Sequence, residues 1–193
     1  MTKSEWKIKS SEYLLKHKYL TVRKDVCVTK AGAVIDPYFV LEFPNWVQVV
    51  AFDANSRVLI TRQYRHGIQK VIYGLPTGFT ESSDKSALES ARRELIEETG
   101  YDAKKFVKVP KIYPNPAVQN NQVHTFAGFD IKKIKEPDFD PSEKISTEFV
   151  TVRKLLKMID DGSFSHALHV AGVLLTFRHL KLLDSKITEQ TLL

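Results

Sequence analysis

The chain carries a single cysteine in 193 residues, which excludes an internal disulfide and a cysteine-rich zinc site. Cys27 stands in a strand-like run and reads as a packed residue. No apolar run approaches the ~20 residues of a membrane-spanning helix. The opening MTKSEWKIKS has no signal-peptide core, so the expected compartment is the cytoplasm, away from membranes. There are no internal repeats and no low-complexity segments. The six histidines show no metal-ligand spacing, and His124, alternating with Val123, reads as a packed or edge residue. The two tryptophans read as core or interface.

What is present is ordinary for one soluble core with a small appendage: 42% hydrophobic and 27% charged residues. The net charge of +6 is concentrated near the N-terminus, where Lys3, Lys7, Lys9, Lys16, Lys18, Arg23, Lys24 and Lys30 outnumber Glu5, Glu12 and Asp25. No aromatic-interleaved basic stripe accompanies it, so nucleic acid is not the expected partner. A small anionic ligand suits the sign equally well.

One stretch organises the rest: Gly78 to Tyr101, GFTESSDKSALESARRELIEETGY. A polar loop leads into a helix expected to begin near Ser83 to Lys85, capped by Ser83 or Asp84 and closed by Gly100. Leu88, Ala91 and Leu95 form its apolar stripe. Glu94, Glu97 and Glu98 fall within a wedge of roughly 100°. Like charges at i,i+4 cost a few tenths of a kcal/mol, and anions at a helix C-terminus oppose the macrodipole. Arg93 can pair with Glu97, which offsets part of this. An acidic helix face is commonly just solvated, but hard oxygen ligands on a rigid element also suit Mg²⁺ or Mn²⁺.

The longer pattern decides between these readings. Leu75-Pro76-Thr77-Gly78, the loop, Arg93-Glu94-Leu95, Glu97-Glu98 and Gly100-Tyr101 resemble the Nudix box of the Nudix hydrolases. The loop is one residue longer than the usual box, so its first acid falls on Asp84 or on Lys85. The resemblance implies metal binding by Glu94, Glu97, Glu98 and the Thr77 carbonyl. It also implies an α/β fold: a Nudix α/β/α sandwich with a mixed sheet.

The remaining chain fits that expectation. Strands are expected at Tyr19–Val28 and Ala33–Phe43, the second forced to an edge or bulge by Pro37. They make a small N-terminal β subdomain over residues 1–44. Residues 45–193 form the expected Nudix hydrolase domain. Its strands are Trp46–Asp53, Arg57–Arg65, Phe106–Ile112, Gln122–Phe129 and Glu148–Val152. A polar loop at Lys132–Thr147 and helices at Arg153–Asp160 and Ser165–Leu183 complete it.

Arg62-Gln63-Tyr64-Arg65, Leu-Pro-x-Gly and Pro116 are similar to the ADP-ribose pyrophosphatase and nucleoside-diphosphate-sugar branch. The amides of Asn115 to Asn121 replace an acid often found there, leaving the sugar open. This resemblance implies Mg²⁺-dependent hydrolysis of a nucleoside diphosphate sugar, with ADP-ribose giving AMP and ribose 5-phosphate. It implies a homodimer in which the N-terminal strands serve dimerisation and base binding. Arg65 is the candidate for phosphate or ribose, Pro116 and Asn120 for the substrate pocket, and Tyr19 and Tyr38 for stacking on the base. Glu97 and Glu98 are candidate catalytic carboxylates. Outside the box, Glu148 is the first choice for activating water and Glu143 the second. The alternatives are another Nudix substrate (dinucleoside polyphosphate, oxidised nucleotide or capped RNA) and a non-catalytic ligand sensor.

Overall fold

A computed structural model describes residues 5–138 and 144–183. Backbone contacts divide the chain into two units, Met1–Asn45 with Ile112–Gln122, and Trp46–Lys111 with Val123–Leu193.

The first unit is built on three antiparallel strands in the order β1 (Trp6–His17), β2 (Leu20–Thr29) and β3 (Val34–Glu42). Two were expected. The missed strand, WKIKSSEYLLKH, is exposed at every position, so it shows no buried alternation to read. Pairing with β2 organises it, from Trp6 opposite Thr29 to His17 opposite Leu20. Asp25 ties the sheet together from the central strand: it is 2% exposed and accepts from Ser11 Oγ on β1 and Arg23 on β2. Arg23 also binds Glu42 on β3. Pro37 lies on the edge strand, where the β2–β3 register slips between Asp25 and Cys27, as its ring requires. Segment Ile112–Gln122 joins this unit through Leu41, whose N–H donates to the Val118 carbonyl at 2.7 Å.

The second unit holds a seven-stranded mixed sheet in the order β12 (Ile145–Val150), β5 (Val58–Arg65), β4 (Trp46–Phe52), β10 (Val123–Phe129) and β9 (Lys105–Lys108), with β6 (Lys70–Gly74) paired to β5 and β7 (Thr77–Phe79) to β4. The short strands β8 (Tyr101–Asp102) and β11 (Lys132–Lys133) pair with each other outside that sheet. β10 runs parallel to β4 and the other pairs are antiparallel. Strands β6 and β7 fall after the expected strand ending at Arg65 and before the expected helix, where no strand was expected.

Alternation along the buried strands feeds two cores. Val47, Val49, Ala51 and Leu59 pack with Ala91 and Leu95 of α1 (Ala87–Thr99). Val50, Phe52, Val58 and Ile60 pack with Leu155 of α2 (Val152–Asp160) and with Val173 and Phe177 of α3 (Ala167–His179). Helices on both faces of a mixed sheet make the α/β/α sandwich. Each such buried side chain contributes about 1.5–3 kcal/mol, so Leu95→Ala would loosen the helix that carries the acidic face.

Helix α1 begins later than expected. Its cap is Ser86, whose side chain accepts from Glu89 N–H at 3.2 Å, while Glu89 reaches back to Lys85 N–H at 2.7 Å. That arrangement is close to a capping box. Gly100 ends the helix at φ 76°, with its N–H on the Ile96 carbonyl at 2.8 Å. A side chain there would collide with the Lys135 carbonyl, 2.2 Å from the Cβ position.

Candidate active site

The acidic face of α1 is set against strand β7. Glu98, 8% exposed, accepts the Thr77 N–H at 3.0 Å. One turn earlier, the Glu94 carboxylate fills the space where residue 78 would carry a side chain: a Cβ on Gly78 would fall 2.1 Å from its Cδ. A side chain at 78 would therefore displace the Glu94 carboxylate from its place against β7. Glu97 is the most open of the three, its side chain 40% exposed against 15% for Glu94.

Arg93 gathers the negative charge. Its Nη1 donates to Glu94 and to Glu97, each at 2.9 Å, and its Nη2 to the Phe79 carbonyl at 3.0 Å and Asp84 at 3.2 Å. Burial alone would lower the guanidinium pKa, but Asp84, Glu94 and Glu97 together raise it. The arginine thus remains a fixed cation among three acids.

The structure identifies the first acid of the lengthened loop as Asp84. Besides Arg93, it accepts from Ser90 Oγ at 2.7 Å and Glu81 N–H at 3.0 Å. The Arg93 hydrogen bond is the main cause that holds its pKa down at about 2. The extra residue is absorbed in the turn, and the acid still meets the arginine of α1.

Among the described residues, no three carboxylate, imidazole or thiol groups already converge as a metal cage. The donor chemistry nevertheless fits a hard divalent cation. Glu94 and Glu98 stand one turn apart against two successive residues of β7, and Gly78 leaves the room their carboxylates need.

Arg65, at the end of β5, lines a cavity of about 230 Å³ beside β7, together with Trp46, Gln48, Thr77, His166 and His169. The histidines were missed by sequence reasoning. The available signal was their i,i+3 spacing at the start of an otherwise apolar helix. Gln48 Nε2 donates to Thr125 Oγ1 at 2.8 Å and to the Leu168 carbonyl at 3.2 Å, fixing the first turn of α3 to β4. Gly172 permits this approach, since a Cβ there would lie 2.3 Å from Nε2.

The other expected substrate residues belong to the first unit. The Tyr38 hydroxyl donates to the Ala117 carbonyl, beside Pro116, and its ring meets Trp6 edge-on at 5.8 Å. Asn120 Oδ1 accepts from Phe43 N–H at 3.4 Å. Tyr19, 50% exposed, lies at the turn before β2, whereas Tyr38 pairs with Asp25. Six strand positions separate them, about 20 Å at the rise of a strand, so the two rings of one chain do not sandwich a base.

Glu148 is not brought to the helix carboxylates. It pairs across β12 with Ile60, on the sheet face that packs α2 and α3, while its neighbour Phe149 packs on the α1 face. Its partner is Lys154 of α2, at 3.4 Å. Glu143 lies outside the described residues.

Residues 43–168 match the family described as the NUDIX domain. The chain belongs to the Nudix family. Residues 6–41 match the nucleoside diphosphate sugar hydrolase N-terminal domain, which coincides with the three-stranded sheet. The Nudix chain is 29% identical over 122 residues to a Bacillus subtilis protein named ADP-ribose pyrophosphatase, covering 63% of this chain and 65% of that one, under two thirds of its length. It is 23% identical over 175 residues to a Mycobacterium tuberculosis protein of the same name, covering 90% of this chain and 84% of that one. Its fold matches a crystal structure titled ADP compounds hydrolase with a TM-score of 0.80, at 20% identity and over 92% of this chain and 95% of that one. Nudix hydrolases use a divalent metal and act on small nucleotides. No helix of the described residues is long and apolar enough to cross a membrane.

Proposed function

We propose that this Nudix chain hydrolyses the diphosphate bond of nucleoside diphosphate sugars, with ADP-ribose converted to AMP and ribose 5-phosphate. The observation that carries the reading is the placement of Glu94 and Glu98 against β7, with Arg93 holding Glu94, Glu97 and Asp84. The match to a nucleoside diphosphate sugar hydrolase N-terminal domain supports the substrate class.

Glu94, Glu97, Glu98 and the Thr77 carbonyl would hold Mg²⁺ (or Mn²⁺). When bound, the metal supplies charge neutralisation at the diphosphate and a nucleophilic water at neutral pH. Arg65 binds a phosphate oxygen from the cavity side. Glu97, the most exposed of these three glutamates, is the first candidate to accept the proton of the attacking water, with Glu143 second. Thr77 is positioned by its N–H on Glu98 and by its hydroxyl on the Val47 carbonyl at 2.7 Å.

The base is held by aromatic stacking on Tyr19 and Tyr38, one ring from each of two copies, since one chain keeps them apart. A homodimer through the first unit also accounts for β1, exposed at every position and carrying Trp6, Ile8, Tyr13, Leu14 and Leu15. The cytoplasm, where such nucleotides occur, is the proposed compartment.

The test is incubation with Mg²⁺ and a nucleotide panel, with products identified by mass. AMP and ribose 5-phosphate from ADP-ribose are expected. Turnover of only dinucleoside polyphosphates or oxidised nucleotides would replace the substrate, and turnover of none would revive the ligand sensor.

A further inference from the structure

The cavity beside β7 gathers three features of one sign. His169 is 2% exposed, and its Nδ1 accepts the Leu75 N–H at 3.0 Å. A ring nitrogen that accepts carries no proton, so the neutral imidazole holds its hydrogen on Nε2. The ring lines the cavity, and Nε2 has no hydrogen-bond partner among the described residues. Burial, then the neighbouring His166 and Arg65, keep its pKa well below the ordinary value, so the donor persists at neutral pH. The ring is held in place. It lies directly on Gly74, where a Cβ would be 2.6 Å from Nδ1, and His166 stacks on it at 3.8 Å between centroids.

The second feature is Arg65, which lines the same cavity and makes no ion pair among the described residues. The third is the start of α3, which has no side-chain cap and no acid in its first turn. No carboxylate of the described residues lines the space. Donors, a cation and the positive end of a helix select an acceptor of negative charge. The volume of about 230 Å³ suits part of a nucleotide sugar rather than the whole.

We propose that His169 is a further substrate-binding residue, donating its Nε2 hydrogen to a phosphate oxygen held beside Arg65. The inference deepens the reading above and rests on it for the identity of the ligand. It assigns α3 a part in binding the diphosphate, in addition to its part in the core.

Two substitutions separate binding from mere support. In His169→Asn, the amide carbonyl can still accept the Leu75 N–H, but nothing donates from the Nε2 position. In His169→Gln, the amide N–H₂ reaches the Nε2 position, and the Leu75 contact is given up. The probe is α,β-methylene-ADP-ribose, whose bridge resists hydrolysis, with affinity measured by calorimetry and melting temperature recorded beside it. His169→Asn should weaken binding about tenfold or more, the size of one hydrogen bond to a charged group, with little change in melting temperature. His169→Gln should bind within about threefold of the parent while melting lower.

The reverse order would assign His169 a supporting role and overturn the proposal, as would equal affinity in all three proteins or no binding by the parent. If either variant fails to fold, the His169 Nε2 resonance of the ¹⁵N-labelled parent decides: it must shift on adding the analogue. ADP-ribose turnover measured in parallel keeps the two readings apart. Turnover with His169-independent binding sinks this inference alone. His169-dependent binding without turnover sinks the hydrolase and leaves the site.

Discussion

The two sides of strand β7 carry opposite chemistry. On one side, α1 presents Glu94, Glu97 and Glu98, held by Arg93 and the Thr77 N–H. On the other, Arg65, His166 and His169 line a cavity that no carboxylate of the described residues enters. A diphosphate is an anion, so the cavity side can bind it directly and the acidic side only through a cation. Substitutions on the first side should therefore act on turnover, and those on the second on affinity.

The sharpest way to break that contrast is Glu94→Gln and Glu98→Gln. Each should lower kcat on ADP-ribose at least about a hundredfold, on the order of 3 kcal/mol of barrier, and chelation of the metal should abolish turnover. Glutamine at 98 can still accept the Thr77 N–H, so the circular dichroism spectrum should be unchanged. Near-normal rates in both variants would remove the metal site from α1.

Asp84→Asn tests how the acidic side is held. The Asp84 pKa of about 2 lies below the ordinary 3.8, so its charge stabilises the fold by roughly 2 kcal/mol at neutral pH. The folded state holds the proton less tightly than the unfolded chain. The contribution is therefore complete above about pH 4 and lost as pH falls through 2. The variant should melt about 4–8 °C lower at pH 7, and the difference should close near pH 2. A constant difference across that range would mean that packing, not charge, is what the asparagine loses.

The acidic side was legible because it is local: Arg93, Glu94, Glu97 and Glu98 are neighbours in sequence, and helical spacing alone sets their wedge. The choice between Asp84 and Lys85 was not legible, because turn geometry decides which residue meets Arg93. Most strands of the second unit were visible as apolar runs, since β4 and β5 are buried on both faces. β6 and β7 were hidden between Gly67 and Phe79, where short, partly buried strands give little periodicity. The donor side was invisible for a different reason. His169 is joined to Leu75, Arg65 and Gln48 only by the fold, across a long stretch of chain. In the first unit, β1 exposes every residue, so nothing in its pattern separates strand from tail.

Tyr38→Ala should raise KM for ADP-ribose several-fold and leave kcat nearly intact, since stacking is worth roughly 0.5–1.5 kcal/mol per aromatic pair. Its hydroxyl also ties β3 to the Pro116–Ala117 turn. Tyr38→Phe separates the two roles: it should keep the KM of the parent if the ring face matters and share the defect if the tie does. Unchanged KM in Tyr38→Ala and Tyr19→Ala would remove both rings from base binding.

Glu148→Gln should have the smallest effect. From its place before the Phe149-Val150-Thr151-Val152 run it was expected to activate water, a role worth about 10²–10⁴-fold in rate. The register argues for less. Glu148 opposes Ile60 on the face packed by α2 and α3, and α1 packs on the other face, against Leu59 and Phe149. Its ion pair with Lys154 is exposed, with side chains 42% and 55% accessible, and such pairs contribute about 0–1 kcal/mol. Glutamine there should leave kcat within about threefold and the melting temperature nearly unchanged. Assays of Glu97→Gln and Glu143→Gln over a range of Mg²⁺ would then show which carboxylate takes the proton, since a loss that added metal restores belongs to metal binding and a loss of about 10²–10⁴-fold that it does not restore belongs to the general base. A loss of that size in Glu148→Gln itself would mean that β12 turns its carboxylate to the α1 face during the reaction, and the division of labour across β7 would have to include a third element.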